Sequence, residues 1–579
     1  MEMKEGIKKL EELKQKASLG GGRERAEKLR QEGYLTAEER INLLLDPGTL
    51  VEFGTLAGPQ PAEFGPAPAY IPRDGVITGF GQVNGRTVAV YAHDKTVQGG
   101  SLGNVQAAKT SDLIRRACEL KVPVVALQDS VGARIQEGNK NLGFDSIFYA
   151  LTQASGVVPL ISAILGRCAG GIAYSSALMD FILMVQGKSQ LFITGPEVIK
   201  AVTHEEVSFE ALGGAGVHSE KSGVCDLVAP DESAAIAMVK ELLSILPGSY
   251  QDQPPRIAAR DCPEGAMEKI REILPADSKK FYDMKKILRC VLDDGYFFEI
   301  KPKYARNILT GFARVEGWPV GIIANQPMHL AGALDVDASD KASRFIRFCD
   351  AFNLPVLTFV DIPGYLPGVD QEYRGIIRHG AKMLFAYAEA TVPKITVIVR
   401  KDYGGGKQAM CSKPMGTDLV LAWPSAELAV MGAEGAVNVV CRKEIQESKD
   451  PEGTRKRLVG EYEKIFGGPF ESARKMYVDD VIKPEETRGK IVQALRIFRG
   501  KKAGRFHKGC RSGTGPWSPL PRRRSSTPST GRPWRSCRIR LRPGRSPNAW
   551  WMGSFKSWPK SLKTSPSTWK PFRIWRKQS

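Results

Sequence analysis

The sequence predicts an α/β protein whose body is one fold written twice, and three observations predict it. Segments of the first half return in the second at a nearly constant offset. Short β-branched runs alternate with amphipathic stretches of helical length, and a pair of glycines follows the corresponding run in each half. Fixed-offset repetition is the first feature to read, because it sets the architecture of everything else.

Taken in order, the chain opens on a helical arm over residues 1–45, where MEMKEGIKKLEELKQK has the mixed charge of a surface helix and not the apolar stretch of a signal peptide. ITGFGQVNGRTVAV at Ile77–Val90 then returns 232 residues later as LTGFARVEGWPVGI at Leu309–Ile322. VPVVALQDSVGA from Val122 and LPVLTFVDIPGY from Leu354 share that offset, which matches Asp129 with Asp361 and Gly132 with Gly364. LDPGTLVE from Leu45 pairs with LDDGYFFE from Leu292 at 247, VPLISAILGRCAGG from Val158 with VPKITVIVRKDYGGG from Val392 at 234, and ITGPE from Ile193 with VMGAE from Val430 at 237. A drift of a few residues is what insertions in surface loops produce. The halves are assigned to 30–250 and 276–505, joined by a Pro-rich, charged linker over 251–275 and followed by a tail over 506–579.

Within each half the β-branched runs read as buried strands: Thr87–Val90, Val122–Leu127 and Leu160–Leu165, then Val320–Ile323, Val356–Val360 and Ile395–Val399. Val105–Leu120 and Ala338–Phe352 have the length and pattern of the crossover helices that stacked parallel strands require.

Composition narrows the functional classes. The chain of 579 residues carries 83 Lys+Arg against 63 Asp+Glu, a net charge of +20 that suggests a nucleic-acid partner. Residues 501–579, however, hold 21 of those basic groups and no acidic one, so the first 500 residues carry 62 basic and 63 acidic groups. The body is near neutral, and neither nucleic acid nor membrane is expected as its partner. Ten cysteines without a Cys-x-x-Cys pair read as reduced thiols. No apolar run reaches the ~18–20 residues of a membrane helix. A soluble, cytoplasmic protein is expected.

Chemistry is expected where a strand ends and a helix begins, since backbone N–H groups are unpaired there. Gly170-Gly171 precedes the helix-like IAYSSALMDFIL, and Gly405-Gly406 is read as occupying the matching place in the second half. Two glycines allow a sharp turn that brings consecutive amides to one oxygen, which is how an oxyanion hole is built. A lone pair would be read as a tight turn without a ligand; recurrence in both halves favours a site. GGGK at Gly404–Lys407 does not complete a phosphate loop, which needs Gly at 401 and Ser or Thr at 408, where Lys401 and Gln408 stand. The chain has no His-Glu-x-x-His and no Gly-x-Ser-x-Gly. His204, Glu205, Glu206 and His218 read as surface residues, and Asp129 and Asp361 as caps of the turns that follow their strands. Backbone amides, present twice, suit a reaction that stabilises an enolate while a cofactor handles the proton.

These residues also carry a resemblance. GGGRERAEKLRQEGYLTAEERINLLLDPGTLVEF at Gly20–Phe53, DSVGARIQEG at Asp129–Gly138, RCAGGIAYSSALMDF at Arg167–Phe181, FCDAFNLPVLTFVDIPGYLPG at Phe348–Gly368 and AWPSAELAVMGAEGAVNVV at Ala422–Val440 closely resemble the carboxyltransferase (beta) subunit of propionyl-CoA and related acyl-CoA carboxylases. The resemblance covers about residues 5–508. It implies two crotonase-like domains in tandem, a dimer-based hexamer, and active sites between the N-terminal half of one subunit and the C-terminal half of another. It implies that Gly170-Gly171 hold the acyl-CoA thioester oxygen and Gly405-Gly406 the ureido oxygen of biotin. The biotin is expected on a separate carrier protein or subunit, loaded by a biotin carboxylase, with coenzyme A thioester as substrate and no metal.

The chain departs from the family pattern at three points. Gly406 stands where alanine is common, and Val131, near the N-terminal site, stands where glycine is usual. Gln408 falls at a position tied to acyl-chain selectivity. Val131, Ala169 and Gln408 are therefore expected to shape substrate binding. Propionyl-CoA is the favoured acyl group. A methylmalonyl-CoA decarboxylase or transcarboxylase subunit running the reverse half-reaction is the alternative, and a non-catalytic member using its tail on nucleic acid or membrane is the remote one. The tail holds seven of the nine Trp and ten of the 37 Pro of the chain, has no hydrophobic period, and reads as out-of-frame translation after a frameshift near codon 508.

Overall fold

The computed structural model describes residues 2–61, 69–140, 143–466 and 468–501. The basic tail expected over 506–579 lies outside them. Two eight-stranded sheets follow one another along the chain. The first contains β1 (Val51–Phe53), β2 (Val76–Val83), β3 (Arg86–His93), β4 (Val124–Ser130), β5 (Leu160–Ala169), β6 (Phe181–Val185), β7 (Gln190–Phe192) and β8 (Leu227–Ala229). The second repeats it with β9 (Phe297–Ile300), β10 (Ile308–Val315), β11 (Trp318–Asn325), β12 (Val356–Ile362), β13 (Lys394–Tyr403), β14 (Leu419–Ala422), β15 (Glu427–Ala429) and β16 (Asp480–Val481). The orders are β1-β2-β3-β4-β5-β6-β8 and β16-β14-β13-β12-β11-β10-β9, with β7 on β5 and β15 on β13. Seven helices matter below: α1 (Ala37–Leu44), α2 (Asn104–Leu120), α3 (Gly143–Ala154), α4 (Gly171–Ala177), α5 (Val336–Ala351), α6 (Ile376–Glu389) and α7 (Gly404–Ala409).

Both sheets are mixed, where the sequence suggested parallel strands throughout. β2 and β3 pair antiparallel, as do β10 and β11, before the parallel ladder begins at β4 and β12. The cause is local. Asn84-Gly85 and Glu316-Gly317 both adopt positive φ, at 50° and 74° and at 54° and 75°. That is the signature of the two-residue type I′ turn, whose twist suits a hairpin. The helix expected over IAYSSALMDFIL is also shorter, because Phe181 leaves it to pair in parallel with Ile161, and the Asp180 carboxylate accepts from the Leu160 amide at 2.9 Å.

A second deviation is repeated and places the site. The ladder between β4 and β5 slips between Gln128 and Ser130, and that between β12 and β13 slips between Val360 and Ile362. Asp129 and Asp361 sit at these bulges, and bulges re-aim the chain beside functional sites. The halves share a core, in which Phe181 of β6 packs edge-on against Phe348 of α5 with ring centres 4.7 Å apart. Among the described residues no helix is long and apolar enough to cross a membrane.

Candidate active site

In the first half, β5 delivers the chain to Gly170, which takes φ 62° and ψ −130°, and α4 begins at Gly171. Only glycine enters that backbone region without strain. The Gly170 amide donates inward, to the carbonyls of Phe192 (3.2 Å) and Ile193 (3.1 Å), whereas the amides of Gly171 and Ile172 have no acceptor among the described residues. Gly171 is glycine for a different reason, since a Cβ there would collide with the Phe144 ring of α3. Phe144 stacks on Phe148, and Phe148 meets Tyr174 edge-on, so an aromatic wall flanks the bend.

Opposite the bend runs Val131-Gly132-Ala133. Gly132 has φ 105°, and a Cβ on it would stand 3.1 Å from the Ala169 carbonyl oxygen. The loop is held by backbone bonds, with Leu102 N donating to Gly132 O at 2.8 Å and Arg134 N to Leu102 O at 2.9 Å. Buried Arg134 then reaches Asp74 and Glu137, each at 2.8 Å. Ala169 directly precedes Gly170, and Val131, half exposed, is next to Gly132, which faces the Ala169 carbonyl.

In the second half, β13 ends at Tyr403 and the left-handed residue is Gly404, with φ 55°. The amides of Gly405 and Gly406 have no acceptor among the described residues. A Cβ on Gly406 would lie 2.6 Å from Ile362 Cδ1 and 3.1 Å from Gly364 Cα, so the loop after β12 faces this bend as Gly132 faces the other. Gln408 is exposed one turn into α7. The structure therefore shifts the expected correspondence by one residue. Gly170 matches Gly404, Gly171 matches Gly405, and Ile172 matches Gly406. The outward amides come from the latter two pairs, while Gly170 and Gly404 set the bend. The 234-residue offset of this segment carries that register.

The matched carboxylates are not turn caps. Asp129 is buried against Arg40 of α1 at 3.2 Å, and Arg40 also binds Glu232 at 2.6 Å. Asp361 is buried against Arg400 of β13 at 3.0 Å and accepts from the Lys401 amide at 3.2 Å. Both anchor their bulges from behind. Sequence reasoning also passed over Asp402, one residue before Tyr403. It is buried 3.9 Å from Lys407, and its burial pushes the carboxyl up to about 7. His204 is exposed at φ 62°, while His218 is half-buried with Nε2 2.6 Å from the Leu191 carbonyl oxygen.

Duplicated α/β halves that each turn two successive amides outward define a class of enzyme that holds anionic oxygens with main chain. The chain matches the family model described as the carboxyl transferase domain over residues 28–511, and it belongs to that family, the carboxyltransferases of biotin-dependent acyl-CoA carboxylases. It is 50% identical over 503 residues to the propionyl-CoA carboxylase carboxyltransferase subunit of Haloferax mediterranei, covering 87% of this chain and 98% of the relative. It is 49% identical to the methylmalonyl-CoA decarboxylase subunit alpha of Propionigenium modestum, covering 86% and 96%. The crystal structure of transcarboxylase 12S, a hexamer with methylmalonyl-coenzyme A and methylmalonic acid bound, superposes with a TM-score of 0.84 at 46% identity, covering 88% of this chain and 98% of that one. The tandem crotonase-like fold that the resemblance implied is the fold of this chain.

Proposed function

We propose that the protein moves a carboxyl group between biotin on a separate carrier subunit and the α-carbon of a short-chain acyl-CoA, with propionyl-CoA the favoured acceptor. The observation that carries this reading is the pair of matched bends, each with two successive amides left without acceptors. Gly171 and Ile172 donate to the thioester oxygen and hold the negative charge that develops there as the α-proton leaves. Gly405 and Gly406 are suited to the ureido oxygen of biotin, because they are adjacent donors without acceptors, Gly405 exposed and Gly406 buried behind it. Biotin, when bound, supplies the carboxyl group and the base for the α-proton. Phe144, Phe148 and the half-exposed Tyr174 flank the acyl side with aromatic surface.

Working as a hexamer fits the hexameric transcarboxylase 12S relative, and sites shared between the N-terminal half of one subunit and the C-terminal half of another are part of the same proposal. Val131, Ala169 and Gln408 are proposed to shape acyl selectivity. The reverse half-reaction is the second reading, favoured by the decarboxylase relative at 49% identity. A coupled assay with biotin carboxylase and carrier, offered acetyl-, propionyl-, butyryl- and methylmalonyl-CoA, tests both. Fastest turnover is expected with propionyl-CoA. Activity only from methylmalonyl-CoA would establish the reverse reading, and no turnover in either direction would defeat both.

A further inference from the structure

Between the two halves lies a cavity of about 240 Å³ whose wall includes Asp180 and Phe181 from the first half and Lys341, Arg344, Phe348 and Phe352 from the second. One side of it is apolar. Phe348 packs on Phe181 and on Phe352, with ring centres 4.7 Å and 4.8 Å away. The other side carries charge. The buried Lys341 amine is held by the carbonyls of Lys301 (2.9 Å), Tyr304 (2.8 Å) and Ile308 (2.8 Å), which leaves it no free donor, and burial pushes it down to about 7. Lys301 and Asp226, also in the wall, neutralise each other at 2.9 Å.

Arg344 is different. Its Nη2 donates to the carbonyls of Met179 (2.6 Å) and Asp180 (3.2 Å), while its Nε and Nη1 donors have no acceptor among the described residues. The Asp180 carboxylate is turned to the Leu160 amide, away from those donors, and burial pushes it up to about 7. The cavity thus combines an aromatic floor with two guanidinium N–H donors of Arg344 that lack acceptors, and it has a size suited to a small ligand.

We propose that this cavity binds a small apolar carboxylate, one per chain, with a carboxylate oxygen accepting from a free N–H of Arg344, Nε or Nη1, and the hydrocarbon against Phe181, Phe348 and Phe352. A charged guanidinium N–H makes a shorter and stronger hydrogen bond to a carboxylate oxygen than a neutral donor does. The inference is independent of the proposed carboxyl transfer, because neither glycine bend lines the cavity.

Calorimetric titration of the full chain with hexanoate, and with hexanol as its uncharged counterpart, tests the proposal. Hexanoate is expected to bind one to one and at least about tenfold more tightly than hexanol. Arg344→Met should remove that preference. Ala351→Phe, which projects a ring from α5 into the cavity, should weaken both probes at least about tenfold, and it decides the matter even if Arg344→Met does not fold. No hexanoate binding at millimolar concentration, equal affinity for the two probes, or affinity unchanged by Ala351→Phe would each overturn it.

Discussion

Gly166 and Arg400 occupy the same position in the bulges of the two halves, and the difference between them decides where each buried aspartate finds its cation. Arg400 Nε lies 3.0 Å from Asp361 Oδ2. At Gly166 a side chain would collide with the Asp129 carboxylate, and there the cation comes from Arg40 of α1 instead. One geometric need is met from within the bulge in one half and by a long-range contact in the other.

The first prediction follows from that pairing. Arg400→Met leaves a buried carboxylate without its partner and is expected to cost about 3–5 kcal/mol of stability. Adding Asp361→Asn should restore a large part of it. Gly166→Ala should destabilise the first half by displacing Asp129 from Arg40. Denaturant unfolding of the four proteins, including wild type, checks the set; an Arg400→Met chain as stable as wild type would contradict it.

At Gly406 the amide and the space can be separated. Gly406→Pro removes the N–H and is expected to lower kcat by the ~10²–10³-fold typical of a lost oxyanion donor, while the chain remains folded. Gly406→Ala keeps the N–H, and its Cβ meets the movable end of Ile362 and, at 3.1 Å, Gly364 Cα, so a small shift of the loop after β12 should let most activity survive. Steady-state rates with the carrier subunit, read beside circular dichroism, distinguish the two. Equal losses would mean that the amide is not what matters.

Gly170 makes the complementary case. A Cβ there would meet nothing within 4 Å, yet φ 62° with ψ −130° is strained for any other residue. Gly170→Ala is therefore expected to cost about 1–3 kcal/mol through the backbone alone and to slow turnover by misplacing the Gly171 and Ile172 amides. Thermal unfolding and kcat measured together check this. An Ala variant with unchanged melting and rate would show that the bend is not constrained.

Asp402 predicts a pH dependence. Its folded pKa, raised to about 7 by burial, lies above the unfolded value of about 3.9, so the folded state binds the extra proton between those values. Its contribution to stability is complete below about pH 4 and is lost as pH rises through about 7. Asp402→Asn, which cannot ionise, should melt higher than wild type at pH 8 and close to it at pH 4. Melting curves at both pH values test the sign. A larger gain at pH 4 than at pH 8 would refute it.

Much of this architecture is legible in the chain. The offset pairs Ile77–Val90 with Leu309–Ile322, and those segments form the β2–β3 and β10–β11 hairpins. Asn84-Gly85 was a readable hairpin signal that the parallel-strand expectation overlooked. The expected strands began close to where they stand but ended early, because β4 and β5 run on through polar residues such as Gln128, Asp129 and Arg167 that have partners inside the fold. The bends were legible to within one residue. Glycine spacing marks the bends, but it does not say that the Gly170 amide is already bonded to Phe192 and Ile193.

By itself the sequence determined the duplication, the near-neutral body, the glycine turns and the family, since these reside in composition, order and local spacing. Tertiary structure alone decided which amides face outward, which arginine meets each buried aspartate, and that Phe181 and Arg344, from different halves, share one cavity. Those outcomes depend on partners far apart along the chain. Local periodicity fixes which face of a segment is buried, but the choice of long-range partner is made only when the two halves pack together.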